Sequence, residues 1–571
     1  MYLRTTTKKV KDKTYRYVNI LESVRIKGKS RQRVVLSLGR EDEVDHRRLR
    51  QIRVLLAKLA GEDPLERLQG LELGESRYYG PVVVLDHLWR ELGLDRLLRG
   101  RIKERGIQVA VELLVRVMVF NRLIDPRSKL AVSRWVDRLY VPELLGQEIP
   151  LHHFYRALDY LCAEKERIED SLFNRLTDLF SLKLSLVFYD LTSTWFEGDC
   201  CPLGEYGYSR DKRFDKKQIV LGLLTTVEGL PIAHQVWRGK RVDVQTVGEM
   251  TSVLQRRFQI GETIFVGDCA MLSRENLKGL AEAGYHYIVG LKSRSKEGRG
   301  LIVPTSGPVP LADYQVIEKD RLLAREVAGA GGVRYIICHS FERAQVDRAQ
   351  RKRQIESAME KLQQIDVDLK SAKIKTGNEL QRRLTTVFSR KHVRRYFDWS
   401  CDMKAGRPVL SWSLKEAAVA YEEQREGKWI VKTDTELPLA EVIRQYKNLQ
   451  RVENAFDDMK HLLRLRPIRH YAPPRVEGHV LICVLAYLLA RVMELRLAQA
   501  GVKWIDHIGR RQKTYPMTAG RALDLLDEVR AVEVQLDGQR VDQLTRIGPK
   551  ARPILQAFGV MPEQRILPPR N

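Results

Sequence analysis

Two aspartates in this chain stand where strand-forming sequence ends. The apolar run LSLVFYD closes on Asp190 and TIFVGD closes on Asp268, although aspartate is disfavoured in strands. Either one alone reads as a turn residue or a helix cap. Together they are separated by 268 − 190 = 78 residues, a stretch that holds two further strands and a helix. In that layout strands one and four can be neighbours, and both carboxylates can meet at one sheet edge. A third acid comes from YKNLQRVENAFDDMKHLLR (446–464). At about 100° per residue, Leu449, Val452, Phe456, Met459 and Leu463 form an apolar stripe. Tyr446, Glu453, Asp457 and Lys460 form a second stripe roughly 100° round from it. Three carboxylates of this kind suit hard cations such as Mg²⁺ or Mn²⁺. Two such ions about 3.5–4 Å apart would hold the attacking and leaving oxygens of an in-line displacement at phosphorus. Lys460 would meet phosphate as a point charge. The plain alternative is an amphipathic helix with surface charges, and Asp457 reads as one of these.

The elements that must position these groups follow from periodicity. QIVLGLLTTV (218–227) and LPIAHQVWRG (230–239) are strands joined by Glu228-Gly229, and residues 242–258 are helical. A fourth strand ends near Asp268. A helix over 273–284 with Ser273 as N-cap and a fifth strand over 285–292 come next. The order is thus β-β-β-α-β-α-β, an α/β class. A Gly/Pro-rich break (297–312), charged helices (342–395), strand-like pieces near 410–420 and 427–434, and a strong helix over 438–463 follow. Upstream, the first 33 residues carry eleven Lys/Arg against Asp12 and Glu22, and KGKS joins two strand-like runs into a basic β-hairpin. Helical periodicity then marks 46–60, 81–97, 107–124, 129–139, 151–163 and 166–182, with Pro126 as a clear break. That pattern is a helix-turn-helix region or a plain helical bundle. The expected division is 1–75 (basic hairpin and helix), 76–182 (helical, DNA-binding), 183–296 (catalytic core, first part), 297–425 (insertion), 426–497 (core, second part, with the glutamate helix) and 498–571 (helical tail).

Composition narrows the partners. The chain has 571 residues with 99 Lys/Arg against 73 Asp/Glu, a net charge of +26, which points to a polyanion such as nucleic acid. The N-terminal MYLRTTTKKVKDK has no secretory pattern. The most apolar run, 480–495, is interrupted by Arg491 and too short to span a bilayer, so no membrane partner is expected. Seven scattered cysteines with no CxxC pair suit a reducing cytoplasm rather than a zinc or disulfide framework.

At YDLTSTWFEG (189–198), VGDCAMLSRENLKGL (266–280), YKNLQRVENAFDDMK (446–460), LRLRPIRHY (463–471) and VEGHVLICVLAYLLA (476–490), the chain resembles a bacterial insertion-sequence transposase of the DDE type. The resemblance covers most of the chain. It implies an RNase H-like catalytic core with a large insertion before the glutamate helix. It implies Asp190, Asp268 and Glu453 as catalytic residues holding two divalent metal ions, Mg²⁺ or Mn²⁺. The family's Y-R-E-K signature falls on Tyr446, Glu453 and Lys460, but its arginine position is Leu449. Arg451 lies about 140° round the helix from Tyr446. Tyr446, Lys460, Thr192 and Arg451 are the candidate DNA contacts. The implied reaction is hydrolysis at the element end, freeing a 3′-hydroxyl that attacks target DNA. The implied partners are double-stranded DNA (terminal inverted repeats and target) and a second copy in a synaptic homodimer. The implied place is the bacterial cytoplasm, on the nucleoid when DNA is bound. A metal-dependent nuclease without strand joining, and a non-catalytic DNA-binding derivative, are the competing readings. Tyr446 as a recombinase-type nucleophile would need an Arg/His cluster, and no such cluster can be placed.

Overall fold

The strand Leu186–Trp195 is buried at all but Asp190 and Trp195. Its two faces therefore both lie under cover, and its alternation splits the apolar interior. Leu186 and Phe188 join one cluster, while Val187, Tyr189 and Leu191 join another. The computed structural model describes all residues except 1, 11–12, 27–28, 44–59, 61–70, 105–109, 146, 183–184, 242, 261–262, 269–272, 305–306, 320, 390, 405, 509–510, 537–538 and 568–571. The chain falls into two compact units. One comprises Met1–Ser76, Ala531–Thr545 and Gln564–Asn571; the other comprises Arg77–Arg530 and Arg546–Glu563.

In the first unit, Tyr2–Val10, Lys13–Ile26 and Lys29–Arg40 form an antiparallel sheet. Ile26 pairs with Lys29, so the chain reverses at KGKS; the turn residues 27–28 lie outside the described residues. The strand Tyr2–Val10 is an addition to the expected hairpin. The helix expected over 46–60 lies almost wholly outside the described residues. A second sheet has the order Gln539–Leu544, Arg530–Leu536, Glu72–Tyr78.

The second unit is built on a nine-stranded mixed sheet. In chain order its strands are β1 (Leu186–Trp195), β2 (Gln218–Thr225), β3 (Pro231–Arg238), β4 (Ile264–Gly267), β5 (His286–Leu291), β6 (Gln315–Glu318), β7 (Leu322–Ala328), β8 (Arg334–Ser340) and β9 (Lys428–Thr433). Their spatial order is β6-β7-β8-β9-β5-β4-β1-β2-β3. The β1–β4 and β4–β5 pairs are parallel, and the others are antiparallel.

Four expectations are corrected. β1 does not end at Asp190 but continues to Trp195, because Asp190 to Trp195 pair with Leu223 to Gln218 of β2 and this pairing overrides the aspartate's poor propensity. Within the expected insertion, β6 to β8 extend the sheet, and only Phe341–Arg425 forms a separate excursion, with an apolar cluster of its own. The tail is not simply helical: Lys503–Ile508 pairs with Arg511–Pro516, and Arg530–Leu536 pairs with Gln539–Leu544. The expected helices 151–163 and 166–182 are one 30-residue helix, Leu151–Phe180.

The helix Pro473–Gln499 is buried nearly all round and packs against Leu151–Phe180 and Val111–Ile124. Its apolar run is therefore core sequence. Among the described residues, no helix is long and apolar enough to cross a membrane. The helices of 77–182 share this core with the sheet's glutamate side.

A buried polar network locks the long helix to the sheet. The Glu169 carboxylate accepts from the His234 backbone N–H at 3.0 Å and from Arg257 at 2.9 Å, and lies 2.7 Å from His234 Nδ1. Burial alone would raise this carboxyl, but His234, Lys165 and Arg257 overcome it and hold it at about 2. Burial and Lys165 hold the His234 imidazole below its ordinary value. A depressed carboxyl contributes stability above its unfolded pKa and loses it as pH falls through the folded one. A shift from 4.5 to about 2 corresponds to about 3 kcal/mol. Glu169→Gln should be less stable than wild type by about 3 kcal/mol near pH 6. In urea unfolding the gap should close as pH drops from 4.5 towards 2; a gap that does not change with pH would refute this account.

Candidate active site

The β1–β4 register decides where the two aspartates go. Leu186 pairs with Ile264, Val187 with Phe265 and Phe188 with Val266. Two more residues along each strand align Asp190 with Asp268, which directly follows Gly267 at the end of β4. Side-chain parity sends both to the face of Phe188 and Val266. That face shares its apolar cluster with Val452, Ala455 and Phe456 of the helix Gln450–Asp457, which packs on β1. Glu453, on the exposed side of this helix, completes the set.

Electrostatics show that the three acids are neighbours. Burial lifts the Asp190 carboxyl to about 7, and the charges of Asp268 and Glu453 add to the rise. The Leu191 backbone N–H, donating to Asp190 Oδ1 at 2.8 Å, and the nearby Arg210 charge act in the opposite direction. Glu453 is raised by burial and by Asp268, with Asp457 adding to the effect. Among the described residues, no three His, Cys, Asp or Glu side chains surround a single ion-sized point. The acids are therefore coupled in charge without closing on one common position. Their donor chemistry nonetheless suits a hard divalent cation: all are carboxylates, and a cation would favour the ionised form of Asp190 against the burial and neighbouring charge that raise it.

The expected DNA contacts have other occupations in this structure. The helix expected over 438–463 is three pieces: Leu439–Asn448, Gln450–Asp457 and a π-helical turn, Asp458–Leu462. A π turn adds a residue per turn and so shifts the seven-residue line. Lys460 is accordingly buried, with Nζ 2.8 Å from Asp211 Oδ1, and Arg466 lies 2.5 Å from the same oxygen. Burial pushes the Lys460 ammonium below its ordinary pKa against the pull of Asp211. Tyr446 stacks on Trp429 of β9 at 5.4 Å, with its hydroxyl over Gly290 of β5, where a Cβ would collide with it. Arg451 donates to the Val227 carbonyl in the β2–β3 turn. Thr192 is buried two residues beyond Asp190 on the same face. Leu449, at the signature's arginine position, is core.

Two groups that sequence reasoning missed come from the loop between β1 and β2. Arg210 places its charge near Asp190, and its backbone N–H donates to Ser193 Oγ at 2.9 Å. Asp211 anchors Lys460 and Arg466. The run YSRDKRFDKK (208–217) is the local signal, a charge cluster directly after a core strand.

A family model described as transposase DDE domain matches residues 193–489, and one described as IS1634 family transposase, N-terminal domain, matches residues 3–65. The chain belongs to the DDE transposase family. The first match contains Asp268 and Glu453 and begins three residues after Asp190 (193 − 190). Among solved structures, the transposase is similar to a piggyBac transposase in a cryo-EM synaptic complex with hairpin DNA, at 9% identity and a TM-score of 0.36, over 80% of this chain and 82% of that one. No curated protein matches it.

In this transposase Asp211→Asn should leave Lys460 and Arg466 without their counter-ion and cost about 3–5 kcal/mol. Adding Lys460→Met should restore part of that stability. Denaturant unfolding checks both; an Asp211→Asn chain as stable as wild type would show that the cluster carries no weight.

Proposed function

We propose that this transposase binds the ends of an insertion sequence, cleaves them in a metal-dependent step and transfers the freed strand to target DNA. The observation that carries the reading is that Asp190 and Asp268 stand side by side on two adjacent parallel strands, with Glu453 on the helix packed on them and the charges of Asp268 and Glu453 acting on Asp190. We read the core as RNase H-like. The order β3-β2-β1-β4-β5, with β4 and β5 parallel to β1 and β2 and β3 antiparallel, supports this.

Asp190, Asp268 and Glu453 would hold two divalent ions, Mg²⁺ or Mn²⁺, which when bound supply an activated water and neutralise charge developing at phosphorus. The residues around them fix the frame. Pairing with Leu223 of β2 holds Asp190 in place, and the Leu191 N–H restricts its carboxylate. Arg210 places positive charge where a phosphate would approach, as this chemistry requires. The partner is double-stranded DNA, both terminal repeats and target, with a second copy of the chain joining two ends in a synaptic homodimer. The basic N-terminal strands, Lys13–Ile26 and Lys29–Arg40, suit phosphate contact. Cytoplasmic action on the nucleoid follows from that substrate.

The test is cleavage of end-containing DNA with Mg²⁺ or Mn²⁺. Glu453→Gln should bind DNA as wild type does and cut it about a hundredfold more slowly or worse. Chelation with EDTA should stop cutting and spare binding. Cutting by the variant at the wild-type rate would remove Glu453 from the site.

A further inference from the structure

The β1–β2 loop, residues 196–217, exposes three aromatic rings within nine residues: Tyr206 at 52%, Tyr208 at 78% and Phe214 at 63%. Single exposed aromatics are ordinary, but these stand on a backbone that is closely tied down. Glu205 and Gln218 exchange backbone hydrogen bonds at 3.1 and 3.0 Å. Gln218 Nε2 donates to the Tyr208 carbonyl at 2.9 Å. Ser209 is buried, and its hydroxyl accepts from the Arg213 N–H at 3.0 Å. Arg213 lies over the Trp195 ring at 4.6 Å. The rings are thus held out to solvent by a braced loop, with no core to enter.

Over the whole loop the charges balance in number, Arg210, Lys212, Arg213, Lys216 and Lys217 against Glu197, Asp199, Glu205, Asp211 and Asp215, but the cations are gathered over 210–217, beside the rings. Lys216 lies 3.6 Å from Glu197. Asp211 is taken by Lys460 and Arg466, and Asp215 by Arg213. The same stretch reaches the acids: Arg210 hangs from Ser193 of β1 and acts electrostatically on Asp190.

We propose that this loop is a stacking platform for unpaired nucleotides of the DNA strand held at the acids. Tyr208 and Phe214 take base faces, and the loop's cations follow the phosphates. Aromatic rings gain from bases only where a π-face is open, which an intact duplex hides, and such stacking tolerates any sequence. The proposal rests on the DNA-cleaving reading above and adds to it the kind of DNA that the site prefers.

The experiment measures binding in EDTA, so that it does not depend on catalysis. The probes are a labelled blunt duplex of arbitrary sequence and the same duplex with a single-stranded tail of about six nucleotides, read by fluorescence anisotropy. Wild type should prefer the tailed probe. Tyr208→Ala and Phe214→Ala should each weaken that probe by about tenfold while leaving the blunt one within about twofold, and Tyr208→Phe should retain the preference. Equal binding of both probes by wild type, or an equal loss on both probes in the alanine variants, would overturn the platform and leave the cleavage reading standing. Absence of binding to either probe would overturn both.

Discussion

Like charge held at close quarters is the constraint on which the rest of this structure depends. Asp190, Asp268 and Glu453 repel one another, and the charges of Asp268 and Glu453 add to the burial that lifts Asp190 to about 7. Such a cluster persists only if the backbone leaves its members no freedom to part. β1 supplies that rigidity because it is paired on both edges and covered on both faces. The alignment of Asp190 with Asp268 follows from the register of a parallel pair, and a one-residue slip would send a carboxylate to the opposite face. Glu453 is fixed differently, by the burial of Val452, Ala455 and Phe456 on either side of it in sequence.

The β1–β2 loop ties these two supports together. Its Arg210 backbone is bonded to β1, and its Asp211 side chain to Lys460 and Arg466 just beyond the glutamate helix. A buried ion cluster of this kind contributes little net stability compared with an apolar replacement, since desolvation offsets most of the Coulomb gain. Its contribution is directional: within the π turn at Asp458–Leu462, Lys460 is aimed inward at Asp211.

Much of this was legible locally and some of it was not. β2, β3 and β5 were readable because their apolar runs are long and bounded by turn residues. The position of Asp190 was readable as unusual, but not as mid-strand, since LTSTW declares itself only through its pairing with β2. β6 has only four residues and none of them is buried, while β7 and β8 bury consecutive residues, Leu322 to Ala324 and Ile336 to His339, so no period of two stands out. The C-terminal hairpins escaped for a different reason: WIDHI and VEVQL are only five residues each, VEVQL alternating apolar and polar positions, and it is their local pairing that marks them as strands. The occupations of Tyr446 and Lys460 depend on Trp429, Gly290 and Asp211, and no spacing rule within one helix reveals partners that lie up to 249 positions away.

These misplacements have a common physical cause. The line Tyr446, Glu453, Lys460 reads as a DNA-facing row only if the helix is regular and its outer side is open. Here the helix breaks at Leu449 and widens after Asp457, and the sheet and the β1–β2 loop cover the two flanking residues. Only Glu453 keeps an exposed position beside the aspartates. Positive charge acting on Asp190 comes instead from the loop containing Arg210. A leucine at the signature's arginine position is consistent with that exchange. Leu449 is needed in the core where the helix bends, while the cation is supplied across space by a loop that the sheet holds in place.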